Sequence, residues 1–344
     1  CSRLRTFMWF IVCVAGLTIR SDLLGVTSII RALGIHEKYY QNILDNFHSP
    51  GIKLSLMTAL WAKVVLRLFH NPVVVNGRLV LVGDGLKVGK EGKKMPAVKL
   101  LHQQSESNTK PEYIMGHSIQ AVSLLIQASN SFLAVPLNAK IYEGTVFSNR
   151  NKRTLFDKML ALLVDININQ PYYFVADAYY ACQKMVKGLL KQHNHLITRA
   201  KSNAVAYESY VHQGAKKPGR PKLYGKKIAL KSLFSYKHGW EEAASPVYGE
   251  KEVTIAYQTR DLLWRPAGQL VRFVAVIHPT RGQCLLMSTD TYLSALDIIR
   301  IYGLRFKIEH EFKQAVRVLG SFSYHFWMKE MKPLRRRQGN QYLH

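Results

Sequence analysis

Residues 73–85, VVVNGRLVLVGDG, hold the pattern that decides how the first half of the chain folds. The pair Asn76 and Gly77 is a preferred sequence for a type I′ turn, and apolar residues flank it on both sides. The pattern predicts a β-hairpin whose second strand ends at Asp84. Because ligand-binding groups emerge where strands of an α/β sheet end, Asp84 is a candidate site residue. An acid between two glycines also suits an ordinary turn.

A second acid follows a buried strand further along the chain. Residues 171–190, PYYFVADAYYACQKMVKGLL, predict an apolar strand that ends at Asp177 and then a helix. Asp177 is therefore either a second site residue or the N-cap of that helix. Further strands are predicted at 113–127, 131–142 and 195–201, and a helix at about 152–164. This mixture predicts an α/β protein in which helices flank a mixed sheet.

The segments on either side of this block have a different composition. Residues 18–70 show helical periodicity, with Gly34 between the first two helices. They suit either a helix-turn-helix DNA reader or two ordinary packed helices. The composition shifts again from about residue 202. Residues 212–227, HQGAKKPGRPKLYGKK, are basic and contain Gly and Pro, which predicts a loop or linker, and the alternating stretches after it predict a β-rich insertion. Those stretches are residues 251–258, 269–278 and 283–289.

Residues 301–312, IYGLRFKIEHEF, place two glutamates on a predicted helix. The helix begins near Ser294, because Ser294 and Asp297 have capping-box spacing. At about 100° per residue, a tyrosine, two cations and one glutamate share a face beside the buried one, whereas Glu311 points elsewhere. The residues of that face are Tyr302, Arg305, Glu309 and Lys313.

Two features of this helix have simple interpretations. Arg305 and Glu309 are four residues apart, a spacing typical of an ordinary ion pair on a solvated helix. Gly303 is a position at which the helix can bend or break.

The charge of the chain points to a polyanionic partner. Its 344 residues include 48 Lys and Arg against 22 Asp and Glu, a formal net charge of +26. An excess of this sign is typical of proteins that bind nucleic acid. The best apolar run, residues 6–17, is shorter than the roughly 20 residues that cross a membrane, so no membrane attachment is expected. The 4 cysteines lack zinc-type spacing, which fits a reducing cytoplasm.

Acids on a basic protein have a chemical use if the partner is DNA. Asp84, Asp177 and Glu309 could together hold two divalent cations, which activate water and stabilise the leaving oxygen in phosphodiester cleavage. Mg²⁺ prefers such oxygen ligands. Without metal, the three acids would repel the phosphate.

The residues around Glu309 also carry a family resemblance. Tyr302, Arg305 and Glu309, with FK shortly after, resemble the signature of bacterial cut-and-paste insertion-sequence transposases, which are DDE enzymes with an RNase H-like core. VGDG at Asp84 and FVADAYY at Asp177 are similar to the first and second aspartate strands of that family. The resemblance covers about residues 73–320. It implies an RNase H-like mixed sheet flanked by helices, an inserted β-rich subdomain and an N-terminal helical DNA-binding region.

The resemblance implies a reaction and a role for each residue. A transposase of this kind cleaves DNA at transposon ends with two Mg²⁺ ions, for which Mn²⁺ can substitute, and transfers the 3′-hydroxyl into target DNA. It would act as a DNA-bound homodimer in the bacterial cytoplasm. Asp84 would contact both ions, while Asp177 and Glu309 would each complete one. The DNA contacts implied or suggested are Tyr302, Arg305, Lys313, Lys87, Arg220, Lys222 and Trp264, with Trp240 as another candidate to hold a flipped base.

The chain departs from the family pattern at two positions. Val316 stands where the family has a lysine, although Lys313 lies on the same helix face one turn earlier. Phe306 stands where a tryptophan usually follows the arginine. These changes leave the grip on phosphate open and do not affect the three acids.

Two other functions remain open. The chain could be an RNase H-like nuclease that joins nothing, or an inactive transposase-derived DNA-binding protein. Because it begins with Cys1 and stops in a basic segment, we expect a fragment of a longer protein. The expected segments are 1–70, helical and DNA-binding; 71–201, the first part of the core; 202–288, the β-rich insertion; 289–325, the final core helix with Glu309; and 326–344, a truncated basic segment.

Overall fold

The computed structural model has a large mixed sheet with helices packed on both faces, as the sequence predicts. The described residues are 1–22, 25–90, 97–102, 112–142, 153–201, 203–211, 222–318 and 320–321. The predicted segment 326–344 lies outside them, as do residues 212–221 of the predicted basic loop. Among the described helices, none is long and apolar enough to cross a membrane.

The N-terminal region is helical. Its helices are α1 Leu4–Ile19, α2 Val26–Leu33, α3 Tyr40–Phe47 and α4 Leu54–Leu68. α2 ends at the predicted glycine, because Gly34 adopts a left-handed conformation with a φ of 61° that favours glycine. The first three helices enclose a small core around Ile29 and Ile43, whereas α4 contributes Val65 to the core under the sheet.

The hairpin predicted at 73–85 begins the sheet, but its second strand continues past the predicted end at Asp84 to Gly89. The first strands are β1 Val74–Val75, β2 Arg78–Gly89, β3 Lys99–His102, β4 Tyr113–Ala128 and β5 Ser131–Tyr142. Asn76 and Gly77 have positive φ values of 48° and 73°, as a type I′ turn requires. β2 pairs antiparallel with β4, and β4 pairs antiparallel with β5.

Two parallel strands extend the sheet on the other side of β2. The next elements are α5 Leu155–Ile166, β6 Tyr172–Ala176, α6 Gln183–Leu190 and β7 His195–Arg199. β6 runs parallel to β2, and β7 runs parallel to β6. The order β5-β4-β2-β6-β7, with three antiparallel strands followed by two parallel ones, is the arrangement expected of an RNase H-like core.

The predicted β-rich insertion continues the same sheet. Its strands are β8 Val205–Ser209, β9 Tyr224–Ala229, β10 Glu241–Ala244, β11 Thr254–Trp264, β12 Gln269–His278 and β13 Gly282–Ser288. β13 pairs antiparallel with β7, so that Met287 lies opposite Thr198. The described strands therefore form one sheet of 13, and the insertion shares its hydrogen bonds with the core.

The last described helices are α7 Ala295–Gly303 and α8 Lys307–Val318. The sequence predicts one helix here, with a possible break at Gly303, and the chain does break there. Ser294 caps α7 as predicted, because its hydroxyl accepts a hydrogen bond from the Asp297 amide. α7 and α8 cover one face of the sheet, and α4, α5 and α6 cover the other.

Candidate active site

Asp84 lies on β2, and Asp177 directly follows the neighbouring parallel strand β6. Val82 of β2 is paired with Val175 of β6, and both side chains belong to the core cluster beneath α7 and α8. Since side chains two residues apart in an extended chain point to the same face, Asp84 and Asp177 are both directed toward α7 and α8. The hydroxyl of Thr198 on β7 donates a 2.7 Å hydrogen bond to the Asp177 backbone oxygen, which holds the end of β6 in place.

The third acid, Glu309, comes from the first turn of α8. Buried Ile308 and Phe312 fix this helix on the sheet, and Glu309 projects from it with 54% of its side chain exposed. Arg305 lies in the turn between α7 and α8. Its Nη1 is 2.9 Å from Asp84 Oδ2, and its Nη2 is 2.7 Å from Glu309 Oε1. One guanidinium thus links an acid of the sheet to an acid of the helix.

The charges of the other two acids influence the pKa of Asp84. Burial raises the pKa of Asp84 to about 6, although Arg305 and the Gly85 amide oppose the shift. The charges of Asp177 and Glu309 raise it further. Burial also raises the pKa of Asp177, against the influence of Arg305. The charges of Arg305 and Glu309 thus act on both aspartates.

The donor chemistry of this site fits a divalent cation. Carboxylate oxygens are the ligands that Mg²⁺ and Mn²⁺ take up. In the part of the chain that the structure describes, however, no three His, Cys, Asp or Glu side chains are close enough to hold an ion. The Arg305 guanidinium occupies the position between Asp84 and Glu309 instead. Metal could bind to both carboxylates only after this side chain moves.

Glu311 lies apart from the three acids, as its helix phase predicts. Its carboxylate accepts a hydrogen bond from the Ser123 hydroxyl on β4, beneath α8. Burial raises the pKa of Glu311 to about 7, and the Ser123 hydrogen bond partly opposes that shift. Glu311 therefore attaches α8 to the sheet, whereas Glu309 faces the site.

Tyr302 is near the acids, and the predicted lysines are less directly placed. Tyr302 and Arg305 line a cavity of about 500 Å³ between the insertion and α7, together with Arg199 and Arg281. Burial raises the pKa of Tyr302. Lys313 is exposed on α8.

The remaining predicted DNA contacts are scattered over the molecule. Lys87 is exposed on β2 and its Nζ donates to the His102 backbone oxygen at 2.5 Å. Lys222 is exposed, and Arg220 lies outside the described residues. None of these positions tests the DNA-binding roles, which stay predictions.

The two tryptophans considered for base stacking have structural roles. Trp264 is only 6% exposed and belongs to the core on the α5 side of the sheet. Its burial argues against the predicted DNA contact, because a base can stack only on an open ring face. Trp240 is tilted against Phe234, and its Nε1 donates to the Tyr236 backbone oxygen at 2.8 Å.

Two buried side chains near the aspartates, Gln120 and Tyr180, are not among the residues predicted from the sequence. Gln120 on β4 donates to the Tyr180 hydroxyl at 3.1 Å, and both side chains are buried. Tyr180 is close enough to Asp84 and Asp177 for their charges to raise its pKa. A glutamine inside the apolar run of β4 was the available signal, since buried polar groups are normally hydrogen-bonded.

These elements define a class: a mixed α/β protein with one acid on a strand, a second after the neighbouring parallel strand and a third on a covering helix. Residues 11–269 match the family described as DDE superfamily endonuclease. This match covers more than half of the chain, and the chain belongs to that family. The matched region contains Asp84 and Asp177 and ends before Glu309.

Other comparisons add little. No curated protein matches the chain. Among solved structures, the chain is similar to the NurA nuclease from Sulfolobus solfataricus, with 10% sequence identity and a TM-score of 0.29. That similarity covers 86% of this chain and 100% of the other.

Proposed function

We propose that the protein is a DNA transposase that cleaves DNA at transposon ends and transfers the 3′-hydroxyl into target DNA. The observation that carries this proposal is that Arg305 pairs with both Asp84 and Glu309, while its charge also acts on Asp177. Membership of a DDE endonuclease family supports the nuclease chemistry. The Tyr302, Arg305 and Glu309 spacing supports the narrower assignment to insertion-sequence transposases.

The catalytic acids would be Asp84, Asp177 and Glu309. Two Mg²⁺ ions, or Mn²⁺ in their place, would supply an activated water and a stabilised leaving oxygen. Asp84, placed next to the other two acids, would contact both ions. Partial burial of Asp84 and Asp177 strengthens their interactions with any cation.

The surface of the protein suits a DNA backbone. With a formal charge of +26, the chain attracts phosphate over long range. Arg199 and Arg281 line the cavity next to Tyr302, so positive charge extends from the acids toward the insertion. The partners would be transposon terminal repeats and target DNA, bound by a homodimer in the bacterial cytoplasm.

A nicking assay tests the cleavage step. The protein is incubated with supercoiled plasmid and Mg²⁺ or Mn²⁺, and Asp84→Ala serves as the comparison. We expect metal-dependent nicking that disappears in the variant, while its DNA binding persists. Nicking that survives in Asp84→Ala would contradict the assignment.

A joining assay separates transposase from simple nuclease. A labelled duplex with a pre-cut 3′-hydroxyl end is mixed with a plasmid target, and label that becomes covalently attached to the plasmid reports strand transfer. Cleavage without joining would favour the RNase H-like nuclease.

An inactive, transposase-derived DNA-binding protein is the other candidate. DNA binding without metal-dependent nicking would support that alternative.

A further inference from the structure

Arg305 is only partly exposed, although it is expected to contact DNA. Only 19% of its side chain is exposed, and the same fraction applies to its partner Asp84. The turn between the two helices holds it there, because the Arg305 amide donates to Tyr302 and its carbonyl accepts from Ile308. The backbone on both sides of Arg305 is thus fixed, and the guanidinium reaches back into the acids.

The two ion pairs of Arg305 satisfy a physical requirement of the metal-free site. A buried carboxylate is costly unless an opposite charge pairs with it. Asp84 is surrounded by Asp177 and Glu309, whose charges repel its own. The guanidinium contacts Asp84 and Glu309 with separate nitrogens, so it lowers the repulsion between both acids in the way that a bound cation would.

We propose that Arg305 is the internal counter-cation of this site and competes with divalent metal for Asp84 and Glu309. This inference rests on the proposed function. Metal loading releases the guanidinium from the carboxylates, and its planar fork then suits a phosphate oxygen pair equally well. The adjacent cavity of about 500 Å³, which Arg305 itself lines, gives the released side chain room to move.

Reciprocal coupling follows from this competition. If metal releases Arg305 to bind phosphate, then phosphate that binds Arg305 must raise the affinity for metal by the same factor. The site would therefore fill with metal more readily when DNA is present. Free protein would hold its acids in the arginine-paired state.

Calorimetric Mn²⁺ titration of the DNA-free chain tests the competition. The proteins compared are the wild type, Arg305→Gln and the matched control Arg300→Gln. Arg300 is an arginine of the neighbouring helix that pairs with Asp297 at 2.9 Å, away from the acids. Asp84→Asn identifies the binding that belongs to the site.

Arg305→Gln should bind Mn²⁺ at least about fivefold more tightly than the wild type, because one competing charge-assisted contact is gone. Arg300→Gln should match the wild type. Equal or weaker binding by folded Arg305→Gln overturns the inference. If that variant does not fold, Arg305→Lys replaces it. Because a lysine ammonium lacks the planar fork that bridges both acids, Arg305→Lys should also bind Mn²⁺ more tightly than the wild type. Unchanged Mn²⁺ affinity in Arg305→Lys overturns the inference.

A second measurement follows the release of the arginine. Ca²⁺ is used because it supports DNA binding without cleavage. Adding Ca²⁺ should increase the affinity for a short DNA duplex in the wild type and leave it unchanged in Arg305→Gln. An equal increase in both proteins would contradict the coupling. If the proposed function itself is wrong, the result is different. No protein then shows Mn²⁺ binding that depends on Asp84, and both the metal site and the inference about Arg305 are excluded.

Discussion

Gly83 allows the strand that carries Asp84 to lie against Phe174. A Cβ atom at Gly83 would be 2.3 Å from the Phe174 ring, closer than real contacts permit. Gly83→Ala should therefore destabilise the protein by about 1–3 kcal/mol through overpacking, measured by urea unfolding. Gly85→Ala is the control, since its nearest contact would be an ordinary 3.8 Å. Equal losses in the two variants would show that the Phe174 contact is unimportant.

The two glutamates of α8 should differ sharply in cleavage. Glu309→Gln removes a charge that faces Asp84 and Arg305, and we expect cleavage to fall by more than about 100-fold. Glu311→Gln should remain close to wild type, because the amide oxygen can still accept the Ser123 hydroxyl. Plasmid nicking rates measure both. Similar losses in the two variants would refute the distinction drawn from the helix phase.

Glu311 also predicts a pH dependence of stability. Its pKa rises from an ordinary 4.5 to about 7 on folding. A folded-state pKa above the unfolded value means that its favourable contribution is complete below about pH 4.5 and is lost as pH rises through 7. Glu311→Gln should then be more stable than the wild type at pH 8, by about 1–3 kcal/mol. Urea unfolding at pH 5 and pH 8 checks this, and parallel pH profiles would exclude it.

At the scale of elements, local signals in the sequence were reliable where one short stretch determines the structure. The Asn76-Gly77 turn, the Ser294 cap and the strand at 269–278 all appear as predicted. The break after Gly303 was only foreseen as possible, because helical periodicity on both sides continues through it. A turn there depends on where α7 and α8 meet the sheet, which is tertiary information.

Helix α5 offers a test of a single cap. Thr154 and Asp157 form a reciprocal capping box, and Lys184 pairs with Asp157 at 2.9 Å. The Thr154 hydrogen bond is the main reason that the pKa of Asp157 falls to about 2. Asp157→Ala should cost about 1 kcal/mol at pH 7.

The pH dependence of that cost has a definite sign. A depressed folded-state pKa gives stability that is present above the ordinary value of 3.8 and lost as pH falls through about 2. The difference between wild type and Asp157→Ala in urea unfolding should therefore shrink toward pH 2. A difference between the two proteins that stays constant down to pH 2 would contradict this assignment.

At the scale of the whole molecule, the sequence indicates the three candidate acids but not the Arg305 contacts that link two of them. Asp84 lies within a recognisable strand and Asp177 follows another, so their positions in the sheet could be predicted. The bridge from Arg305 to Asp84 spans two distant parts of the chain, and no local pattern specifies it. The same limit applies to the insertion, whose pairing through β13 with β7 depends on strand register across the sheet.

The net charge predicts a strong effect of salt on DNA binding. Lys and Arg contacts to phosphate release counterions, so affinity should fall at least about 100-fold between 50 and 200 mM salt. A duplex-binding titration at several NaCl concentrations measures the slope. An affinity that does not respond to salt would contradict the assignment of DNA as the partner.

The three acids stand at positions 84, 177 and 309, far apart in the order of synthesis. When the ribosome has synthesised the hairpin, β6 and Asp177, both aspartates are present, but Arg305 and Glu309 have not yet been made. Since domains generally fold from the N-terminus during translation, the growing polypeptide would lack the complete proposed site until α8 has been synthesised and packs on the sheet. On the proposed assignment, a nascent copy that meets DNA could not yet cleave it.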